Sequence, residues 1–266
     1  MKKHWTQDEL QQLSNTYNVL PMEELILLFG RSKDSIVKKA SELTLERRGG
    51  KFKRKHRIEL LLQDSLEAFY WIGFVMADGC FSNSTLTLSL SEKDQPHLNK
   101  FASFIKVDSN KIRKTKRSIA LNGNEAKSYE IATLEVGDKS NIPLLMEKFN
   151  FKKSKTYNPP DFMVYNFTDD QLIAMFIGFI DGDGSINYTN GSLERFIIKC
   201  HSSWLPNLKF FHELLLRKYP LSKGRPPKIN PYGMAQLIGN NNHVKYMKEF
   251  IKDHKLPALD RKWFKD

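Results

Sequence analysis

The chain has 266 residues, which is long enough for one large domain or two unequal ones with a conventional buried core. Its 42 Lys and Arg residues outnumber 30 Asp and Glu residues, and the formal charge of +12 favours a polyanionic partner such as nucleic acid. Two cysteines are too few for a disulfide framework, and we expect neither a secretory leader nor a bilayer span, because the sequence lacks apolar stretches of the kind they require. We therefore expect an intracellular, cytoplasmic protein without a membrane partner.

The first 45 residues predict three short helices. Thr6 and Glu9 form a capping box that starts the first helix, and the second helix runs from Met22 to Phe29 and stops at Gly30. Ser32 caps the third helix. The core side of this helix would carry four apolar residues, namely Ile36, Val37, Ala40 and Leu43. Its outward positions are candidate DNA contacts, namely Lys33, Ser35, Lys38 and Lys39. A tight turn before a basic third helix makes a helix-turn-helix pattern.

Residues 46–63 are predicted to form a basic linker, because the stretch around Gly49-Gly50 has little apolar content. Seven cations crowd this stretch and would be attracted to phosphate, namely Arg47, Arg48, Lys51, Lys53, Arg54, Lys55 and Arg57.

From about residue 64 the chain reads as two copies of one unit, residues 64–160 and 161–266. In the first copy, a helix that ends in Asp-Gly precedes a strand-like segment over 81–91, a helix over 95–105, a hairpin over 111–136 and a helix over 142–149. The second copy repeats this order, with a strand pair that turns at Asn190-Gly191, a helix over 206–219, strands over 228–238 and a helix over 244–253. The predicted fold class is α+β. Duplicated α-β-β-α-β-β-α units would give two four-stranded antiparallel sheets joined by a pair of packed helices, after a small all-α unit.

The two Asp-Gly helices are apolar nearly all round, which predicts burial. Gly73 and Gly178 stand at the same place in each helix and would let the two backbones approach closely. Asp78 and Asp183 end the helices, each just before a glycine that suits a left-handed helix stop. The negative end of a helix disfavours a carboxylate by roughly 0.3–1 kcal/mol, and two paired helices would bring both carboxylates together. A divalent cation would remove this conflict.

An EF-hand is excluded, although Asp181, Asp183 and Ser185 imitate its first three ligand positions. Ile186 stands where such a loop needs Gly, and Ser192 stands where it needs Glu.

Trp71-Ile-Gly-Phe-Val-Met-Ala-Asp-Gly79 and Phe176-Ile-Gly-Phe-Ile-Asp-Gly-Asp-Gly184 resemble the paired LAGLIDADG motifs of homing endonucleases. The resemblance covers residues 64–266. It implies a single-chain form, a monomer with internal pseudo-twofold symmetry, which cuts both strands of a long double-stranded DNA target across the minor groove with Mg²⁺ or Mn²⁺. The N-terminal segment, with Trp5-Thr-x-x-Glu9 and Gly30-Arg-Ser-x-x-Ser35-Ile, resembles Myb-like or helix-turn-helix modules.

The same resemblance assigns roles to residues of the motifs. The last Asp of each motif maps to Asp78 and Asp183, which would each serve one strand as catalytic metal ligands, with Ala77 and Gly182 as further ligands. Met76 replaces the motif's earlier Asp, whereas the second copy keeps it as Asp181. The family also places a basic residue beside the attacking water, in the last turn or loop of each copy. Lys155 and Lys262 match this position best, with Lys153 and Arg261 as rivals.

The strands are predicted to contact DNA. Leu86, Leu88 and Leu90 alternate with Thr85, Thr87 and Ser89, which predicts one apolar face and one outward hydroxyl-bearing face. Arg195 and Lys199 occupy the equivalent region of the second copy. A cationic cluster in the first hairpin is consistent with major-groove docking of a curved sheet, and it comprises Arg113, Lys114, Lys116 and Arg117.

Other functions on the same fold stay open. An intron maturase would bind RNA, and a regulator derived from this fold would bind DNA without cutting it. Two clustered carboxylates near phosphate argue against a purely regulatory role. The N-terminal helices could also serve as a docking unit, because helical periodicity alone assigns no function.

Overall fold

The computed structural model describes residues 4–17, 20, 22–45, 56–82, 84–119, 127–161, 166–189, 193–220 and 224–264. The chain forms two compact units that divide between Lys55 and His56. Six of the predicted linker cations lie outside the described residues, namely Arg47, Arg48, Lys51, Lys53, Arg54 and Lys55. The Asn190-Gly191 turn also lies outside them.

The first unit contains the three expected helices, α1 (Gln7–Thr16), α2 (Met22–Phe29) and α3 (Lys33–Glu42). The capping box at Thr6 is present, and the Ser32 side chain accepts the Ser35 amide at the start of α3. Buried apolar side chains from all three helices form a small core.

Val37 does not join this core, and its predicted inward position was wrong. It is 41% exposed, whereas Ile36 and Ala40 are fully buried. Successive residues of a helix point about 100° apart, so the buried stripe that includes Ile36 and Ala40 turns Val37 away.

Seven helices occur in the described part of the second unit. They are α4 (Leu66–Asp78), α5 (Gln95–Phe104), α6 (Asn141–Lys148), α7 (Asp169–Asp183), α8 (Leu205–Lys218), α9 (Asn241–Asp253) and α10 (Asp260–Trp263). Local sequence explains several starts, since Ser65 caps α4, a capping box at Thr168 opens α7 and prolines stand in the first turns of α5 and α8. No helix in the described part of the chain combines the length and apolarity that a bilayer span requires.

Two four-stranded antiparallel sheets confirm the α+β fold. The first contains β1 (Gly79–Ser82), β2 (Thr85–Ser91), β3 (Arg113–Ile119) and β4 (Lys127–Gly137), and the second contains β5 (Gly184–Thr189), β6 (Leu193–Cys200), β7 (Lys228–Ile229) and β8 (Ala235–Ile238). Their strand orders, β1-β2-β4-β3 and β5-β6-β8-β7, are the same arrangement twice. The segment over 81–91 is two paired strands rather than one, and β1 begins directly after α4.

Helices α4 and α7 pack backbone against backbone at their glycines, as predicted. A Cβ atom on Gly73 would lie 1.8 Å from the Met175 carbonyl oxygen, and one on Gly178 would lie 2.0 Å from the Tyr70 carbonyl oxygen. Only hydrogen fits in these contacts. The helices therefore run together into one core that both sheets share.

The glycines after the two aspartates do not adopt the predicted left-handed stop. Gly79 has φ −77° and Gly184 has φ −88°, both with extended ψ values. At both positions the backbone therefore passes directly from helix to strand. A Cβ atom would lie 2.5 Å from the Val75 carbonyl oxygen at the first position and 2.7 Å from that of Ile180 at the second. Glycine is required here for close approach, not for backbone conformation.

The end of the predicted linker packs into the second unit. Residues Ile58–Leu62 form a 3₁₀ turn in which Ile58 and Leu61 are fully buried in the core.

Candidate active site

The adjoining ends of α4 and α7 bring Asp78 and Asp183 together. The Asp78 Oδ2 atom lies 3.1 Å from the place where a Cβ atom of Gly182 would stand, directly before Asp183. The Asp78 side chain is half-buried. Burial raises the pKa of Asp78 to about 6, and the negative charge of Asp183 adds to this rise.

Asp183 keeps more of its side chain in solvent than Asp78 does. Neighbouring protein atoms nevertheless remove enough hydration to raise the pKa of its carboxyl, while the positive charges of Lys155 and Lys262 oppose that rise. The site therefore holds two carboxylates whose charged forms are both disfavoured without a cation.

Lys155 and Lys262 both reach this site and hold the helix ends. The Lys155 Nζ atom donates to the Ala77 carbonyl of α4 at 2.6 Å. The Lys262 Nζ atom donates to the carbonyls of Ile180 (3.0 Å) and Gly184 (2.7 Å) and to that of Asp181, around the end of α7. Each ammonium group thus meets the negative end of a helix dipole.

Each lysine acts on both aspartates, and its effect is larger on the aspartate of the opposite copy. Lys262 lowers the pKa of Asp78 more than Lys155 does, whereas Lys155 lowers the pKa of Asp183 more than Lys262 does. Burial in turn lowers the pKa of both lysines. The crossed influence follows from the Asp78 carboxylate leaning towards Gly182, at the end of α7 where Lys262 lies.

The rival basic residues are placed differently. Arg261 makes a two-point ion pair with Asp94, at 2.6 and 2.7 Å, so its guanidinium group is engaged in a contact between the copies. Lys153 is exposed on the turn that precedes Lys155.

The oxygen atoms at this site fit a hard divalent cation. Mg²⁺ and Mn²⁺ prefer oxygen ligands, and Mg²⁺ is commonly bound by one or two carboxylates with several retained waters. Asp78 and Asp183 supply such carboxylates, and the Ala77 and Gly182 carbonyls adjoin them. The Gly182 oxygen lies 3.4 Å from the Lys262 Nζ atom, whereas the Ala77 oxygen is closely engaged by Lys155. Within the described ranges, no cluster of three or more His, Cys, Asp or Glu side chains offers an alternative metal centre.

The first sheet turns its polar face away from the core, as predicted. Leu86 and Leu88 are buried, while Thr85 and Thr87 alternate with them on the opposite face. Residues directly opposite each other in an antiparallel pair share a face. Arg113 lies opposite Thr133 and Arg117 lies opposite Tyr129, on the same face as these threonines.

Register divides the predicted cationic cluster between the two faces of the sheet. Lys114 lies opposite the buried Ala132, and Lys116 lies opposite Glu130, both on the helix side. Lys114 pairs with Glu92 at 2.8 Å and Lys116 pairs with Glu130 at 3.4 Å. A run of neighbouring cations in one strand necessarily splits in this way, because successive side chains alternate.

The outer face of the second sheet also carries cations. Arg195 lies opposite Asn187, and Lys199 lies opposite Gln236, which also faces Lys228. Asn187, Gln236 and Lys228 share this face but were not among the candidates predicted from sequence. Lys228 could not be placed from sequence because β7 has only two residues and its register follows from pairing with β8.

The remaining candidate contacts belong to the first unit and to the end of the predicted linker. In the first unit, Lys33 and Lys38 are exposed, Ser35 is half-buried and Lys39 forms an ion pair with Glu42. In the second unit, Arg57 pairs with Glu59 at 2.7 Å.

The fold built around these aspartates is that of LAGLIDADG homing endonucleases. No protein-family profile matches the chain, and no curated protein matches it. Among solved structures, the homing endonuclease I-WcaI bound to its DNA recognition sequence is 14% identical to this chain and superposes with a TM-score of 0.50. The alignment covers 85% of this chain and 97% of the I-WcaI chain.

Two further solved structures are similar at lower scores. The LAGLIDADG homing endonuclease I-GzeII in complex with its DNA target is 12% identical over 73% of this chain and 86% of its own, with a TM-score of 0.43. Mesophilic variants of the homing endonuclease I-DmoI are 12% identical over 76% of this chain and 96% of their own, with a TM-score of 0.41.

Proposed function

We propose that the protein is a site-specific homing endonuclease that hydrolyses a phosphodiester bond in each strand of a long double-stranded DNA target. The observation that carries this proposal is the meeting of Asp78 and Asp183 at two closely packed helix ends, with Lys155 and Lys262 beside them. A purely structural helix pair has no use for two carboxylates whose burial opposes their ionisation, with the charge of Asp183 adding to this effect at Asp78.

Asp78 and Asp183 would hold Mg²⁺ or Mn²⁺, together with the Ala77 and Gly182 carbonyls. A bound divalent ion supplies positive charge at the scissile phosphate. Lys155 and Lys262 would add fixed positive charge from the two sides, each held by the carbonyl oxygens of a helix end. Because each lysine has its larger effect on the aspartate of the opposite copy, each strand cut would draw on both copies.

The outer faces of the two sheets would bind the DNA. Thr85 and Thr87 with Arg113 and Arg117 would contact one half of the target, and the other half would meet the second sheet through Arg195 and Lys199. Hydroxyl and guanidinium groups suit both phosphate contacts and base edges. One chain would act as a monomer, with residues 64–160 and 161–266 as its two halves. Residues 1–45 would be a helix-turn-helix unit joined through the basic linker 46–63.

Cleavage of a plasmid that carries the uninterrupted insertion site of this gene tests the proposal. We expect linear product with Mg²⁺ or Mn²⁺ and none with EDTA. The variants Asp78→Asn and Asp183→Asn should bind the same DNA within a few-fold of the wild type yet cut neither strand or only one, since phosphate contacts elsewhere survive. Normal linearisation by both variants would contradict the catalytic assignment. Tight DNA binding without cutting would identify a regulator, and preference for the intron RNA would identify a maturase.

A further inference from the structure

The C-terminal segment, residues 256–264, packs across both copies. Leu259 and Trp263 are buried in the common core. Arg261 pairs with Asp94 at the start of α5, and the Lys100 Nζ atom of α5 contacts the Ala258 carbonyl at 3.3 Å. A segment that belongs to the second copy is thereby held by a helix of the first.

Asp181 of α7 binds this segment through hydrogen bonds. Its side chain is 2% exposed, and its carboxylate accepts hydrogen bonds from the Tyr70 hydroxyl (2.6 Å), the Leu259 amide (2.9 Å) and the Trp263 indole (2.6 Å). Two of these donors belong to the C-terminal segment, and the third belongs to α4. A buried carboxylate with three donors is a well-satisfied group. Its Oδ2 atom accepts from Tyr70 and Leu259, and its Oδ1 atom accepts from Trp263.

A neutral histidine completes the network behind Tyr70. The Tyr70 hydroxyl lies 2.9 Å from the His97 Nε2 atom. Burial lowers the pKa of His97 to about 3, so its ring is neutral. Because Tyr70 gives its single proton to Asp181, the His97 proton is assigned to Nε2, which donates to the tyrosine oxygen. The network thus has a defined direction that ends at Asp181.

Lys262 lies between the two residues that Asp181 holds. Its position in the chain is set by Leu259 three residues before it and Trp263 directly after it, and its ammonium group meets the carbonyls around the end of α7. Lys262 itself is only 8% exposed. Its side chain is therefore closely packed, and its ammonium group depends on the backbone position for its placement.

The first copy has no such carboxylate. Met76 occupies the corresponding place in its motif, and this side chain is buried and apolar. The segment with Lys155 is instead held through the Thr156 carbonyl, which accepts from the Ser203 hydroxyl and the Trp204 indole at 3.1 Å each. The two lysines are therefore placed by different contacts.

We propose that Asp181 is a positioning residue, which clamps the C-terminal segment against α7 and thereby places Lys262 for one of the two strand cuts. This inference rests on the proposed nuclease function. It makes the two halves of the site unequal, because only the cut that depends on Lys262 requires the carboxylate.

Strand-resolved cleavage by the full-length protein tests the clamp. Asp181→Asn keeps the size of the side chain but replaces one acceptor oxygen with an amide donor. Under single-turnover conditions with saturating enzyme and Mg²⁺, we expect a loss of about tenfold or more for the strand that Lys262→Met also impairs. The other strand should change by no more than about twofold, and DNA affinity should be maintained. Met76→Leu, at the matching position of the first copy, is the control and should leave both rates near wild type.

A double variant separates positioning from a general structural role. If Asp181 acts through Lys262, then Asp181→Asn combined with Lys262→Met should cut the affected strand no more slowly than Lys262→Met alone. Three outcomes would overturn the proposal. They are equal slowing of the cleavage of both strands, additive rate losses in the double variant, and slower cleavage of the strand that depends on Lys155. Trp263→Phe, which removes one donor and leaves the carboxylate in place, serves the same comparison if Asp181→Asn does not fold.

Exchange of the Trp263 indole proton distinguishes failure of the clamp from failure of the nuclease proposal. In ¹H–¹⁵N spectra this proton should be protected in the wild type and in Met76→Leu, and exposed to exchange in Asp181→Asn. A wild-type protein that cuts no DNA would overturn both proposals as functions, even where the indole signal shows that the contact exists. A wild type that cuts both strands beside an Asp181→Asn variant with unchanged rates would overturn the positioning role alone.

Discussion

At the scale of single residues, Asp78 is a charge that the folded protein holds at a cost. Burial and the nearby Asp183 raise its pKa from 3.8 to about 6. A carboxyl with a raised folded-state pKa is most favourable when protonated, so its stability contribution is greatest at low pH and declines as pH rises through about 6. This unfavourable charge would serve a function if a cation binds to the Asp78 carboxylate.

Asp78→Asn should therefore stabilise the metal-free protein at pH 8. A pKa shift of this size corresponds to about 1–3 kcal/mol in the free energy of unfolding. The gain should shrink as pH falls from about 6 towards 4, because the folded carboxyl becomes protonated and the unfolded one, with a pKa of 3.8, begins to be protonated as well. Urea denaturation in EDTA at pH 8, 6 and 4 measures this.

Magnesium provides the control for that comparison. Added Mg²⁺ should stabilise the wild type and leave Asp78→Asn nearly unchanged, because the variant lacks a ligand. A variant that is less stable than the wild type at pH 8 in EDTA would show that the Asp78 charge is already compensated.

At the scale of elements, the α4–α7 contact depends on two glycines. The Cα hydrogen of each glycine that takes the place of a side chain faces a backbone carbonyl of the other helix. A backbone carbonyl cannot move aside as the tip of a side chain can. The position of the aspartates at the helix ends follows from this contact, because any separation of the axes would part the two carboxylates.

Gly178→Ala should destabilise the protein by about 3 kcal/mol, since its Cβ atom would lie 2.0 Å from the Tyr70 carbonyl oxygen. Gly137→Ala is the matched control, because its Cβ atom would lie 3.8 Å from the nearest side-chain atom, at the end of β4. That change should stay within about 1 kcal/mol. Thermal or urea denaturation of both variants measures the difference, and equal midpoints would refute backbone contact between the helices.

Strand β3 offers two equal charges on opposite faces. Arg117 lies on the outer face, opposite Tyr129, whereas its neighbour Lys116 lies on the helix side, paired with Glu130. Net charge falls by one when either residue is neutralised, so the pair separates the contribution of the sheet face from that of overall charge.

Arg117→Gln should weaken DNA binding and reduce the slope of log affinity against log salt concentration by about one, as expected for one lost phosphate contact. Lys116→Gln should leave the slope nearly unchanged. Fluorescence anisotropy with labelled target DNA over a range of salt concentrations gives both slopes. Equal slopes in the two variants would mean that the outer face of β3 does not meet the phosphates.

At the scale of the whole molecule, the chain combines a small helical unit with a larger α+β unit. Arg31 holds the small unit together, since its guanidinium donates to the His4 carbonyl at 2.8 Å and to Glu9 at 2.9 Å while stacking on Trp5. Lys33 and Lys38 remain exposed on α3. The cationic residues predicted for the linker adjoin this unit in sequence, so both would favour DNA over a neutral partner.

A chain that begins at His56 should keep metal-dependent cutting but bind its target at least about tenfold more weakly, because the N-terminal unit raises the effective concentration of the nuclease at the site. Its footprint should be shorter and its salt slope smaller. Neutralising Lys53, Arg54 and Lys55 in the full chain should lower the slope without affecting the chemistry. Identical footprints and slopes for the full and shortened chains would indicate a docking unit that does not touch this DNA.

Sequence alone was sufficient for features that depend on close neighbours. The capping boxes at Thr6 and Thr168, the alternation of Leu86 and Leu88 with threonines, and the duplicated Asp-Gly helix ends all involve residues within a few positions of one another. Apolarity around the whole of each motif helix was enough to predict burial, and the matching glycines were enough to predict close approach. These features determined the α+β fold and the two candidate aspartates.

Tertiary structure alone decided how distant residues meet. Alternation along the strand separates Arg113 and Arg117 from Lys114 and Lys116, but only strand pairing decides which set lies on the outer face. The bonds from Tyr70, Leu259 and Trp263 to Asp181 span 111, 78 and 82 residues of sequence. No periodicity records such contacts, because they depend on the packing of one copy against the other. For the same physical reason, the crossed influence of Lys155 and Lys262 on the two aspartates emerges only when both helix ends share one site.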